Sequence, residues 1–390
     1  MPKTKSLGLL PLIIIAIALG IGAGFIFPGW LARLFATFNS IFSSFLDFII
    51  PLLIVGFVAP AIAEIGRRAG AMLGVTVLIA YLMSFGSGML SYFTASTVFP
   101  GLLNQTGALA SDAAGAVGPA PFFTINIDPL MTVMTALVLA FVLGFGGAAI
   151  PGATALRKGL SDFRDVIRLV IMKTIIPLLP VYIFGIFMSM TMTGVVGPIL
   201  MTFIKIIAVI FVLHVAVLVL QYCIASLFSG KNPFKCLATM MPAYFTALGT
   251  QSSAATIPVT LNRTIAMGVD KDVAGFVVPL CATIHMSGST LKIVACAMAL
   301  MISHGMPYDA GMFAGFIAML GITIVAAPGV PGGAIMASLG LLSSMLGFSE
   351  ADNAMMIALY IAMDSFGTAC NITGDGAIAQ IVGRLFRARA

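Results

Sequence analysis

MDSFGTACNITGD, residues 363–375, lies in the last apolar segment of the chain and carries Asp364, Thr368, Asn371 and Asp375 at steps of four, three and four residues. At about 100° per residue on a helix, these four side chains fall within an arc of about 60°. Two carboxylates, an amide and a hydroxyl therefore point one way. The segment around them, 353–383, is otherwise suited to lipid. An ionisable residue at the bilayer centre costs about 2.5–3.5 kcal/mol on insertion scales. Two on one stripe imply a cavity, a partner or a cation.

Composition places the whole chain in the same class. Of 390 residues, 60% are hydrophobic and 8% charged, and the mean hydropathy is +1.14. A soluble chain of this length could not hide that much apolar surface in one core. The expected fold is all-α and polytopic. The formal charge of +6 does not point to nucleic acid, because the basic residues cluster between the apolar runs. The apolar run from the basic MPKTK start to Phe27 is too long for a signal peptide and is expected to remain as a first span. The five cysteines form no CxxC pair and the three histidines are scattered, so neither a zinc site nor another cofactor is expected.

Apolar runs give spans near residues 9–27, 42–63, 69–92, 130–150, 166–190, 196–228, 273–302 and 353–383. Two further stretches, 233–259 and 312–346, are apolar but interrupted by small and polar residues. With eight crossings, Lys3, Lys5, Arg67, Arg68, Arg157, Lys158, Arg164, Lys231, Lys235, Arg384, Arg387 and Arg389 share one side. The opposite loops 99–127 and 191–194 carry no Lys or Arg, and only Arg33 falls on the wrong side. The positive-inside rule then puts both termini in the cytoplasm.

The interrupted stretches contain TALGTQSSAATIPVT (246–260) and VAAPGVPGGAIMAS (325–338). A helix breaks in hydrocarbon only where the freed backbone groups line a cavity or are buried in protein. Each half is too short to span, so both stretches are expected to be re-entrant hairpins entering from opposite sides. Each precedes a span with its own polar strip, HMSGST (285–290) or NITGD (371–375). A hairpin–span unit used twice with opposite entry is an inverted repeat, an arrangement that places transporter sites near the midplane.

The hairpin tips offer backbone N–H groups at helix N-termini, and Ser252 and Ser253 add hydroxyl donors, a set suited to a carboxylate. Asp364 suits an ammonium, and Asn371 can both donate and accept. Such a cavity complements a zwitterionic α-amino acid. Asp375 with the neighbouring Asn371 amide oxygen makes a hard-oxygen site for sodium or a proton. His285 is a second proton candidate. Lys292, one turn past Ser289 inside an apolar run, is too central to snorkel and is expected to pair with an acid, Asp364 being the candidate.

These motifs, in this order, resemble the dicarboxylate/amino acid:cation symporter family, the glutamate transporter homologues, which includes bacterial serine/threonine symporters. TQSSAATIPVT (250–260) resembles its serine-rich first hairpin, and VPLCATIHMSGST (278–290) its V-P-L-G-A-T-I-N-M-D-G-T strip. GVPGG (329–333) resembles the second hairpin tip, and MDSFGTACNITGD the last-span motif. The resemblance implies a homotrimer in the cytoplasmic (inner) membrane. A scaffold of about 1–66 and 126–194 would hold a sliding transport domain of about 67–98 and 195–390. It implies substrate contacts at Ser252, Ser253, Ser289, Val330, Gly332, Asp364, Gly367, Thr368 and Asn371. One sodium would sit at Asn371 and Asp375, and a second near Thr283 and Ala327.

The departures from that family bear on the cargo. Acidic-substrate members keep an arginine where this chain has Gly367, and some keep one where it has Gln251. Without a guanidinium, a substrate side-chain carboxylate loses its partner, and Gly367 is expected to leave room for a bulkier neutral side chain. Ser287 replaces an aspartate of the family's third sodium site; Tyr81 and Ser84 could be remnants of it, with Phe85 in place of a hydroxyl. Fewer coupled sodium ions are therefore expected, with Lys292 either paired with Asp364 or standing in for a lost cation. The leading function is cation-coupled symport, by sodium or protons, of a small neutral amino acid, with an acidic amino acid or dicarboxylate as the alternative. Two other classes are weaker. An intramembrane aspartyl protease would need a G-x-G-D motif, of which Gly374-Asp375 supplies only the second half, and a second aspartate that the spans lack. A channel would not need an ammonium-sized carboxylate pocket.

Overall fold

The computed structural model describes residues 9–67, 71–103, 118–194, 196–325 and 332–387, and every regular element among them is helical. Helices α1 (Leu9–Ile26), α2 (Gly29–Arg67), α3 (Ala71–Leu103) and α4 (Val133–Ala149) come first. Next come α5 (Thr154–Val170), a π-helical turn (Ile171–Ile175) and α6 (Ile176–Met192) as one rod. The π turn precedes Pro177, which has no N–H to offer the carbonyl four residues back, so the helix widens there.

The second half holds α7 (Val196–Ser229), α8 (Pro233–Thr250), α9 (Ser253–Ala266), α10 (Lys271–Ile284) and α11 (Ser287–Ser303). It ends with α12 (Ala310–Val325), α13 (Gly333–Leu346), α14 (Glu350–Ala362) and α15 (Asp364–Arg387). Five helical rods among the described residues are long and apolar enough to cross a membrane, and the α14–α15 pair, bent by 62°, makes a sixth. At the expected first and fourth spans, α1 and α4 are shorter apolar helices of 18 and 17 residues.

Two expected spans are discontinuous. The segment 273–302 breaks at His285 and Met286, between α10 and α11, and the last segment breaks at Met363. Both breaks fall beside the polar strips. In the first interrupted stretch the chain reverses between α8 and α9 within two residues. Gln251 takes a left-handed conformation (φ 52°), and the Ser252 side chain accepts from Ala255 N–H to cap α9. This supplies the helix start with one of its missing acceptors. In the second, α12 ends at Val325 and α13 restarts behind Gly332 at φ 76°. The tip between them, including Ala327 and Val330, lies outside the described residues.

Packing follows small residues. Helix α1 lies on α6 through Gly20 and Gly24; a Cβ on Gly20 would meet the Phe184 carbonyl oxygen at 2.5 Å, and one on Gly24 the Thr191 Cβ at 2.4 Å. This small-xxx-small spacing lets two backbones approach closely, as lipid-embedded helices require when no hydrophobic drive holds them together. Helix α2 packs on α4, and α3 on α11. Helix α11 is buried on all sides from Ser287 to Met301, so it forms the centre of the molecule. Helix α15 runs beside it, flanked by α7, α8, α9 and α10.

Replacing Gly20 or Gly24 with leucine should cost about 1–3 kcal/mol by overpacking and lower the melting temperature in detergent. Gly22→Leu should be neutral, because a Cβ there meets nothing within 4 Å.

Candidate functional site

Asp364 opens α15 directly after the break and is only 6% exposed. Its Oδ1 lies 3.1 Å from Lys292 Nζ on α11, and its Oδ2 accepts from the Gly332 backbone N–H at 2.8 Å. One carboxylate thus joins the centre of α11 to the start of α13. The Lys292 ammonium, fully buried, also donates to the carbonyls of Met363 (3.3 Å) and Tyr360 (3.5 Å), and sits 3.4 Å from the centre of the Tyr360 ring. Its three hydrogens have three acceptors. Two of these are carbonyls at the C-terminal end of α14, where a cation is favoured.

The volume beside Gly367 is therefore not open. A Cβ built on Gly367 would meet Lys292 Cε and Nζ, each at 2.7 Å. The expectation of room for a bulkier substrate is overturned, because the lysine alkyl chain fills that space. Nor is Asp364 a free carboxylate waiting for a substrate ammonium: both of its oxygens are engaged.

One turn further on, Asn371 ties α15 to the break in α11. Its Oδ1 accepts from Gly288 N–H (2.8 Å) and Ser289 N–H (3.3 Å), and its Nδ2 donates to Ser289 Oγ at 3.1 Å. The N-cap residue of α11 is Met286, whose side chain makes no capping hydrogen bond, so the cap comes from another helix. Tyr360 Oη donates to the same Ser289 Oγ at 3.1 Å. The amide oxygen expected to hold sodium is occupied, and Asn371 can offer a cation only its backbone carbonyl.

That carbonyl lies beside Asp375. His285 Nδ1 is 3.0 Å from Asp375 Oδ1 and 3.2 Å from the Asn371 carbonyl oxygen, with both side chains of the pair fully buried. Gln221 Nε2 lies 3.4 Å from His285 Nε2 and donates to Ser287 Oγ at 2.9 Å. The carboxylate and carbonyl oxygens facing Nδ1 make that nitrogen a donor. The second oxygen of Asp375 is buried with no hydrogen-bond partner among the described residues. A buried carboxylate oxygen left without a partner has the chemistry of a hard-cation ligand, whereas the Asn371 amide oxygen is already engaged.

Residues 9–385 match the sequence family described as the sodium:dicarboxylate symporter family. The chain belongs to that family. A serine/threonine transporter SstT from Acinetobacter baumannii (strain ATCC 17978) is 27% identical over 386 residues, covering 95% of this chain and 94% of that protein. The SstT of Acinetobacter baylyi is 28% identical over 392 residues, 95% of each chain. Excitatory amino acid transporter 2 of Homo sapiens is 33% identical over 153 residues, covering 39% of this chain and 26% of that protein.

Other expected site residues of this family member make mostly local contacts. Ser252 gives its oxygen to the start of its own helix, and Ser253 is the first residue of α9. Thr283 is exposed and donates to the Leu280 carbonyl. Thr368 is buried on the stripe between Asp364 and Asn371. Ser84 accepts from Met286 N–H at the break, and Tyr81 donates to the Ala318 carbonyl. Both act as struts.

The sequence reading passed over α7. His214 contacts the Gly288 carbonyl (3.2 Å), Gln221 holds His285 and Ser287, and Tyr222 donates to the Thr373 carbonyl (2.8 Å). A signal was available: His214 and Gln221 stand seven residues apart in an apolar helix, on one face. Tyr360, which completes the lysine's surroundings, gave none.

Either Lys292→Met or Asp364→Asn alone should destabilise the protein by about 3–5 kcal/mol, since each strands a buried partner. The double variant should recover most of the loss in a detergent unfolding cycle.

Proposed function

We propose that this protein is a secondary active transporter that couples sodium entry to the uptake of a small, neutral amino acid. Family membership over residues 9–385 supports the reading, and one observation carries it. The tip of the second interrupted stretch (Gly332), the break in α10–α11 and the break before α15 all meet one polar stripe. Broken helices around a polar stripe in an apolar core belong to solute sites rather than to packing. Nothing in the arrangement requires covalent chemistry.

In this reading the substrate carboxylate lies at the N-termini of α9 and α13, near Ser252, Ser253 and Gly332. Asp375 and the Asn371 carbonyl hold a cation, and closure of the second hairpin completes the site. Cation and solute are coupled because both favour the closed state. The relatives named as serine/threonine transporters favour a neutral cargo. So does charge: Lys292 places an ammonium beside Gly367, but Asp364 balances it, leaving no net positive charge for a second carboxylate.

We assign eight crossings and two re-entrant hairpins, with both termini in the cytoplasm. The packing of α1 on α6 and of α2 on α4, and separately of α3 on α11 and of α15 on α7–α10, supports a scaffold (about 1–66 and 126–194) and a moving unit (about 67–98 and 195–390), which meet through α6 on α7 and through α12–α14 on α1, α2, α4 and α6. That division suits an elevator motion within a homotrimer. Apolar side chains exposed along α4, such as Val138, Val142 and Phe145, suit lipid or a neighbouring subunit.

Proteoliposomes with an inward sodium gradient should concentrate serine, threonine or alanine, and replacement of sodium by choline should abolish the uptake. Asp375→Asn should weaken apparent sodium affinity at least about tenfold, the worth of one lost charged ligand. Equilibration without concentration would favour a channel.

A further inference from the structure

The buried pair of Lys292 and Asp364 bears on what the site asks of its cargo. A zwitterionic substrate needs an anionic partner for its ammonium, and Asp364, which opens α15 at the break and meets the Gly332 N–H, is the candidate on the stripe. Its Oδ1 already faces an ammonium at 3.1 Å and its Oδ2 a backbone N–H at 2.8 Å. The ammonium is resident rather than adventitious. It belongs to a side chain with no exposure, it is fixed by two further carbonyls and an aromatic face, and its alkyl chain is wedged beside Gly367. A charge so enclosed does not leave readily, because departure would strand both partners in low dielectric.

We propose that Lys292 is a tethered substitute for the substrate's α-ammonium. It occupies the seat on Asp364 that an amino acid would claim, so the site reads the carboxylate of its cargo and is indifferent to the amino group. Small carboxylates without an ammonium are then carried alongside the matching amino acids. The inference rests on the symport reading above and extends its substrate class. Asp375 does not take over ammonium recognition, because it is fully buried and its Oδ1 already faces His285 Nδ1 at 3.0 Å.

The test compares matched pairs on one protein: serine with 3-hydroxypropionate, and threonine with 3-hydroxybutyrate. Sodium-driven uptake and competition are measured in proteoliposomes of the full chain. In the native protein each pair should show affinities within about threefold of each other, since no charge-assisted hydrogen bond distinguishes them. In Lys292→Met, Asp364 is released and the amino acid should gain about ten- to hundredfold over its desamino partner, the worth of one such bond. The double variant Lys292→Met/Asp364→Asn should lose that preference again. If Lys292→Met fails to fold, the native comparison decides alone. A native preference of tenfold or more for the amino acid overturns the proposal and leaves symport standing. Absence of sodium-driven uptake for every compound overturns symport and, with it, this inference.

Discussion

A helix that stops inside an apolar core leaves backbone donors and acceptors that only protein can satisfy. In this chain one stripe on α15 meets that demand at three places. Asp364 receives the N–H at the start of α13, and Asn371 receives two N–H groups at the start of α11. Lys292, held by Asp364, covers carbonyls at the end of α14. The polar residues are therefore not decorations of a prebuilt cavity. Without them the breaks that shape the cavity would lack partners for their open ends.

This dual use explains why the side chains are less available to a ligand than their chemistry alone suggests. Asn371 has the donors and acceptors to grip a solute, but its amide is committed to α11 and Ser289. Asp364 is committed on both oxygens. The less constrained oxygen is Asp375 Oδ2, buried and without a partner among the described residues. Structural and binding duties are thus distributed along the stripe rather than stacked on each residue.

Much of this was legible in the sequence, because the relevant signals are local. The four-three-four spacing put Asp364, Asn371 and Asp375 on one face, and Gly, Pro and Ser in apolar runs marked the interrupted stretches. The cost of a central lysine required an acid, and that pair forms. What the sequence hid is non-local. Helical periodicity cannot say that Asn371 caps a helix 83 residues earlier, or that a lysine on α11 fills the space beside Gly367. The break at His285 was hidden for the same reason: its supports, Gln221 and Ser84, come from α7 and α3. Reading Gly367 as a vacancy failed because a missing side chain is not a missing volume in a close-packed interior.

The capping of α11 by Asn371 also orders events during synthesis. Gly288 and Ser289 leave the ribosome well before Asn371, and Lys292 is made 72 residues before Asp364. Until the last helix arrives, the centre of the future core holds an uncapped helix start and an unpaired ammonium. Helix α15 therefore acts as a keystone, and a nascent protein lacking it would display unmet polar groups as a mark of incompleteness.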